Sequence, residues 1–238
     1  MKILLIGSQG KMGKLFCKKV YENKSDQIVA GVDIANNNPN TQNTQNPTPP
    51  YLCHKEYKTI WSAKEKSDVV VDFSTASNKE DIINYALLNK IPLAVFSTTC
   101  SDKDKQDLVS ASKHIPILLC PNTSIGINAM LDALNLLGNQ ISDCDIVIEE
   151  HHHKNKLDLP SGTAKSMENV LKNCNKNNIK INALRVGDEC GFHSVSFFMQ
   201  GEKITLSHTA NSKEIFITGA VNMAKKLITK QNGFFTKL

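Results

Sequence analysis

The chain has 238 residues, 40% hydrophobic and 21% charged, which supplies core for one or two domains and excludes a wholly disordered or fibrous protein. The formal charge is +5, and of 28 basic residues only Arg185 is an arginine, so the lysine excess fits a solvated surface that tolerates anions rather than a nucleic-acid reader built on bidentate arginine contacts. The seven cysteines lie no closer than 16 residues apart and no long apolar run is present, so zinc-ribbon spacing, a disulfide framework, a signal peptide and a membrane span are not expected, and reduced thiols in a cytoplasm are.

Ile3–Ile6 is a short apolar run that ends at Gly7 and reads as a first strand. In Lys11–Glu22, Met12, Leu15, Phe16 and Val20 form a helical stripe, and Ile28–Val32 is a second strand ending at Asp33. Strand, glycine turn, helix, strand and acidic residue make a βαβ unit. Apolar runs recur at Val69–Val71, Leu93–Phe96 and Ile117–Leu119. They alternate with helical patterns at Asn78–Asn89 and Asp102–Lys113, which Ser77 and Ser101 would cap. This alternation predicts a parallel sheet with helices on both faces. Asn36–Pro50 holds only Asn, Pro, Thr and Gln and is expected to be a flexible, dispensable surface insertion.

The rhythm changes after about residue 123. A helix is expected over Ile125–Leu137, a strand over Cys144–Glu150 running into a His-rich loop, and a helix over Ser161–Asn173. His193, Val195, Phe197 and Met199 alternate, as do Ile204, Leu206 and His208 beyond a Gln200–Gly201 turn, which makes an antiparallel pair and a mixed sheet. The last helix, Gly219–Thr229, would return to the first domain. The expected fold is α/β: a Rossmann-type parallel-sheet domain over 1–123 with 213–238, and a C-terminal α+β domain over 124–212 for substrate binding and oligomerisation.

Two segments carry chemistry. Gly7, Gly10 and Gly13 stand between a strand and a helix, where the backbone can approach a pyrophosphate and the helix N-terminus offers N–H donors. Asp33 follows where a carboxylate would accept the adenosine ribose hydroxyls, so the group points to a nicotinamide dinucleotide. The second segment runs from Glu149 to Thr163, with His151, His152, His153, Lys154 and Lys156 before a Pro-Ser-Gly-Thr turn. A helix starting near Ser161 would present Ser161, Gly162 and Thr163 as an anion nest for a carboxylate, beside a charged Lys156 and a histidine able to relay a proton. Three neighbouring histidines on an extended chain alternate in direction, so they are not expected to share one metal ion.

The stretch E-H-H-H-K-N-K-L-D-L-P-S-G-T-A resembles the signature of the dihydrodipicolinate reductase family, E-x-H-H-x-x-K-x-D-x-P-S-G-T-A, and sets Glu150, His152, His153, Lys156, Asp158 and Pro160–Ala164 on its positions. G-x-x-G-x-M-G at Gly7–Gly13, V-D-F-S at Val71–Ser74, N-x-S-x-G-x-N at Asn122–Asn128, G-x-H-x-V-x-F at Gly191–Phe197, G-E-x-I at Gly201–Ile204 and F-x-x-G-A at Phe216–Ala220 extend the resemblance over nearly the whole chain. It implies that Gly7, Ser8, Gln9, Gly10, Lys11, Met12 and Asp33 bind the cofactor, with Ser97, Thr98 and Thr99 on the nicotinamide side and Cys120, Pro121, Asn122 and Thr123 opposite. It makes His152 the general acid/base and Lys156 the proton donor, with His153, Ser161, Gly162 and Thr163 holding the substrate carboxylates. The chain departs from the family pattern at Ser97 and Cys100, where glycines are usual, and at Ile34, Thr123 and Lys213.

The implied activity is reduction of 4-hydroxy-tetrahydrodipicolinate to tetrahydrodipicolinate with NAD(P)H, in the diaminopimelate route to lysine, by a cytoplasmic homotetramer. The expected partner is a small dicarboxylate, with no nucleic acid, membrane or metal. A non-catalytic nucleotide sensor and a metallohydrolase are the rival classes, separable by turnover and by metal content. NADH is expected to be preferred and NADPH at best accepted. Asp33 repels a 2′-phosphate, Ile34 stands where an arginine is common, and Lys11 is the one cation nearby in sequence.

Overall fold

The computed structural model describes residues 1–33, 49–52, 54–75 and 79–238. Most of the expected insertion, Ile34 and the expected Ser77 cap lie outside the described residues. The chain forms two compact units, 1–123 with 217–238, and 124–216.

The first unit opens with β1 (Lys2–Ile6), α1 (Lys11–Glu22), β2 (Gln27–Val32), β3 (Lys55–Tyr57), β4 (Val69–Asp72), α2 (Lys79–Asn89), β5 (Leu93–Val95), α3 (Asp102–Ala111) and β6 (Pro116–Leu119). The second contains α4 (Ile125–Gln140), β7 (Asp145–His152), α5 (Gly162–Asn173), β8 (Ile179–Arg185), β9 (Phe192–Met199) and β10 (Glu202–Thr209). Then α6 (Glu214–Leu227) and β11 (Gly233–Phe235) complete the first unit.

The first sheet has seven strands in the order β11-β6-β5-β4-β1-β2-β3, every pair parallel. Its central strands are apolar at nearly every position because both faces are covered. Ile3, Leu5, Val69 and Val71 pack against Phe16, Cys17 and Val20 of α1 and against Ala220, Ala224 and Leu227 of α6. Leu4, Ile6 and Val70 face Ile82, Ile83 and Ala86 of α2 and Leu108 of α3. Ser101 caps α3 in a reciprocal capping box with Asp104, a contact worth about 1 kcal/mol.

The second sheet runs β10-β9-β7-β8, with β7 parallel to β8 and antiparallel to β9, and β9 antiparallel to β10. It is the mixed sheet expected from the alternation. Ile146, Ile148, Val195 and Phe197 bury one face beneath Ile127, Leu134, Met167 and Leu171 of α4 and α5.

Three strands, β3, β8 and β11, were not expected. β7 extends through His152, so His151 and His152 belong to a strand rather than a loop. Helix α6 begins at Glu214, before the expected Gly219.

Candidate active site

In the first unit the glycine loop joins β1 to α1 at the C-terminal edge of the parallel sheet, next to β4. Gly7 has φ +78°, and a Cβ there would lie 2.9 Å from the Ser74 nitrogen, so only glycine fits. A Cβ on Gly13 would fall 2.1 Å from the Gly7 carbonyl oxygen, so this third glycine lets α1 close onto the loop. Gly10 caps the helix without a side-chain bond, which leaves the first-turn N–H groups of Lys11 and Met12 with no intrahelical acceptor. Gln9 donates its N–H to Asp33 Oδ2 at 3.0 Å.

Beside the loop lies a cavity of about 700 Å³, walled by Gly7, Gln9, Gly10, Lys11, Met12 and Asp33 together with Lys58–Ile60, Phe73–Thr75, Asp81 and Ile82. Open helical N–H groups, a glycine cradle and a carboxylate on one wall fit a dinucleotide. The charge around it differs from the sequence reading, which had Lys11 as the one nearby cation. Lys58 also lines the cavity, and Glu56 holds the side chains of Ser8 and Gln9. Ser8 is itself fully buried and does not line the cavity.

The remaining expected cofactor residues follow β5 and β6. Ser97 is buried 4.0 Å from the Cys100 sulfur, and Thr99 Oγ1 donates to the Thr75 carbonyl at 3.3 Å, which ties it to the cavity wall. Thr98 and Pro121 are exposed, and Asn122 is half-buried. Cys120 donates Sγ–H to the Asn122 carbonyl at 3.1 Å, and burial pushes its thiol up to about 11. Thr123 is buried, with its carbonyl against α6 where Gly219 leaves room.

In the second unit strand register gathers a cluster of titratable side chains. Glu150 and His152 share one face of β7, and pairing sets Glu150 opposite His193 on β9 and His152 opposite Arg185 on β8. Glu150 is fully buried. Its Oε2 meets His152 Nδ1, while Oε1 accepts Arg185 at 2.9 Å and the Ser161 N–H at 3.1 Å. Burial alone would raise the Glu150 carboxyl; these donors and the charges of His152 and Arg185 hold it below the usual carboxylate range. Burial lowers His152, aided by the positive charges of Lys156 and Arg185, against the opposing pull of Glu150. With Nδ1 committed to Glu150, Nε2 is the nitrogen left for chemistry, and it faces Gly191, where a Cβ would stand 3.3 Å away. His193 is pushed down to about 4, chiefly by burial and next by His152, and its Nε2 lies 3.2 Å from Ser161 Oγ.

The neighbouring histidines separate. His151 lies on the opposite face of β7 against Phe192, with ring centroids 4.9 Å apart, and His153 follows the strand half-buried. Lys156 Nζ pairs with Asp158 Oδ1 at 2.7 Å.

The expected open nest at the start of α5 needs correction. The Ser161 N–H is held by Glu150, the Gly162 N–H by Asp158 Oδ2 at 3.3 Å, and the Ser161 hydroxyl accepts from the Ala164 N–H as the helix cap. A desolvated carboxylate needs donors, and the helix N-terminus supplies one to Glu150. Thr163 is half-buried in the first turn.

Glu150 and His193 stand in the motifs of the resemblance but were given no role there, and Arg185 was not expected at the site. Their signal is the alternation of β7 and β9, which puts Glu150 and His193 on the face of His152. Ligand atoms of Glu150, His152 and His193 lie within 4.8 Å of one another, close enough for a metal site. The guanidinium already shares Glu150, so the group reads as a charged support for the imidazole.

Family models for the N-terminus and the C-terminus of dihydrodipicolinate reductase match residues 1–123 and 126–237. A 4-hydroxy-tetrahydrodipicolinate reductase of Caldanaerobacter subterraneus subsp. tengcongensis is 33% identical over 99% of this chain and 96% of its own length. One of Clostridium tetani is also 33% identical, over 99% and 94%. Among solved structures, a dipicolinate-bound dihydrodipicolinate reductase from Paenisporosarcina sp. TG-14 superposes with a TM-score of 0.82 at 20% identity, covering 100% of this chain and 98% of that one.

Proposed function

The chain belongs to the dihydrodipicolinate reductase family, and we propose that within it His152 works as the general acid/base and Lys156 as the proton donor. The enzyme reduces 4-hydroxy-tetrahydrodipicolinate with a nicotinamide dinucleotide in lysine biosynthesis. The observation that carries the residue roles is the Arg185–Glu150–His152 chain, with Glu150 and His152 buried and Arg185 half-buried, which leaves a single imidazole nitrogen for proton transfer.

Gly7–Met12 and Asp33 are the residues suited to hold the dinucleotide, with Ser97–Thr99 and Cys120–Thr123 following neighbouring strands of the same sheet. When bound, the reduced nicotinamide supplies the hydride. Glu150 fixes the tautomer and direction of His152, whose Nε2 takes and returns a proton. Lys156 carries its proton on Nζ and is held by Asp158. Asp158 also caps the Gly162 N–H, so a substrate carboxylate would replace Asp158 there and free Lys156 to act. His153, Ser161, Gly162 and Thr163 are the proposed surroundings of the substrate carboxylates, Ser161 through the helix cap it provides.

NADH is the proposed preferred cofactor, with NADPH accepted more weakly. A 2′-phosphate at roughly 5 Å from Asp33 meets about 3 kcal/mol of repulsion per charge pair at an effective dielectric near 20. Lys11 and Lys58 offset part of this as point charges. A homotetramer is proposed on the partly apolar outer face of the second sheet, where Leu184 and Phe198 are 52% and 44% exposed, and light scattering measures it. The free, scattered cysteines support a cytoplasmic setting.

Steady-state kinetics with freshly generated substrate and each cofactor tests these roles. His152→Ala and Lys156→Ala are each expected to lower kcat by about 10²-fold or more, and His153→Ala to raise KM instead. NADH is expected to lead NADPH in kcat/KM by a few-fold to about 100-fold. Unchanged kcat in the first two variants removes the assigned roles, and a tenfold preference for NADPH removes the cofactor reading.

A further inference from the structure

Glu56 lies in β3, one strand beyond β2, whose end Asp33 follows, yet it reaches the glycine loop. Its Oε2 accepts Ser8 Oγ at 2.8 Å and its Oε1 accepts Gln9 Nε2 at 2.9 Å. Oε1 also lies 2.6 Å from His54 Nε2, and the Glu56 and His54 side chains keep only 7% and 5% of their exposure, so water competes little for these bonds.

Gly31 makes the room. It pairs directly with Glu56 across β2 and β3, and a Cβ there would stand 2.3 Å from Glu56 Oε1 and 2.7 Å from His54 Nε2. The carboxylate stays charged. Burial would raise it, but the hydrogen bonds from His54, Ser8 and Gln9 hold it below the ordinary range. Its charge reaches α1, where the Cys17 thiol is pushed up to about 12, first by burial and next by Glu56.

Asp33 meanwhile holds the backbone N–H of Gln9. The two residues between Gly7 and Gly10 are thus tied down by carboxylates from two successive strands.

We propose that Glu56 is a positioning residue of the dinucleotide site: through Ser8 and Gln9 it fixes the loop that presents the first-turn N–H groups of α1, and with Asp33 it makes that corner doubly acidic. This rests on the glycine loop being the cofactor site. A carboxylate that merely anchored β3 would change stability and leave cofactor constants alone.

The test compares the whole enzyme with Glu56→Ala and Glu56→Gln, measuring melting temperature, dinucleotide binding by fluorescence, and kinetics with NADH and NADPH. Glu56→Ala is expected to raise KM and Kd for NADH about tenfold, the scale of one to two lost hydrogen bonds, with kcat within about twofold. Glutamine keeps the shape: its Oε1 still accepts from Gln9 Nε2 and faces His54, and its Nε2 donates to Ser8 Oγ, which turns to accept. Glu56→Gln should therefore return the NADH KM to within about threefold of wild type, while the loss of one charge raises the NADPH-to-NADH ratio of kcat/KM about three- to tenfold.

An unchanged NADH KM in Glu56→Ala overturns the proposal, as does a loss confined to kcat or an unaltered cofactor ratio in Glu56→Gln. If Glu56→Ala does not fold, the Ser8→Ala, Gln9→Ala double variant removes the same bonds from the loop side and must reproduce the KM rise; its failure to do so also overturns it. A wild-type enzyme that binds neither dinucleotide would instead overturn the cofactor site itself.

Discussion

Both oxygens of Glu150 are engaged, by His152 on one side and by Arg185 and the Ser161 N–H on the other, with no exposure to water. Its charge raises the affinity of His152 for a proton, against burial, which lowers it. Glu150→Gln keeps the volume and removes the charge, so the His152 pKa should fall further. The acid limb of the kcat/KM profile should then move to lower pH, and kcat should drop by about 10-fold to 10²-fold as the imidazolium loses its support. A pH profile of the variant measures both effects, and an unmoved limb with unchanged kcat would detach Glu150 from the chemistry. At this scale the sequence was informative where a motif repeats a known spacing, as at Gly7–Gly13 and Glu150–Ala164. It was silent on Glu56, because a Lys-Glu-Tyr triplet after a Pro-rich stretch reads as surface, and only its register with Gly31 brings it to the loop.

Elements with strong periodicity or apolar runs were legible: α1 matches its expected span, and the ends of β1, β2 and α5 shift by a residue or so. β3 and β11 have three residues each, too few for alternation to register, and they are strands because a neighbour's edge pairs with them. β8 does alternate, with Ile179, Ile181 and Ala183 on one side, so its signal was present and unread. The expected N-terminal nest of α5 was misjudged because sequence spacing does not reveal that Glu150 and Asp158 fold back onto it. The join between β4 and α2 carries a buried pair: Lys79, 2% exposed, meets Asp72, which is fully buried and also accepts the Ser74 N–H and hydroxyl at 2.7 and 2.6 Å. Lys79→Met leaves that carboxylate without its cation and should cost about 3–5 kcal/mol. For a chain of this size that is a fall of roughly 6–15 °C in melting temperature. Adding Asp72→Asn should recover part of the loss, and a single variant that melts as the wild type does would contradict this account.

Across the whole molecule, acid stability should follow the buried imidazoles. His193 has a folded pKa of about 4 against an unfolded value near 6.5, so the unfolded chain binds the extra proton between those values. The contribution is complete above about pH 6.5 and is lost as pH falls towards 4, up to roughly 3 kcal/mol, with His152 and His208 shifted in the same direction. Urea midpoints at pH 7.5 and 5 for wild type and His193→Gln measure this, and the variant should show the weaker pH dependence. The path of the chain through its two units has a further consequence, for the order in which they can be made. β11 belongs to the first sheet and α6 packs on it, where Ile217, Ala220, Val221, Met223, Ala224 and Leu227 cover part of one face, yet they follow the whole of the second unit in sequence. A ribosome therefore releases residues 1–123 with that face covered by α1 but not yet by α6 and holds them so while the continuous segment 124–216 emerges and can fold on its own contacts. The first unit closes over its core last, when the segment from 217 onward arrives, so the nascent chain passes through a period in which part of its apolar sheet is open to chaperones.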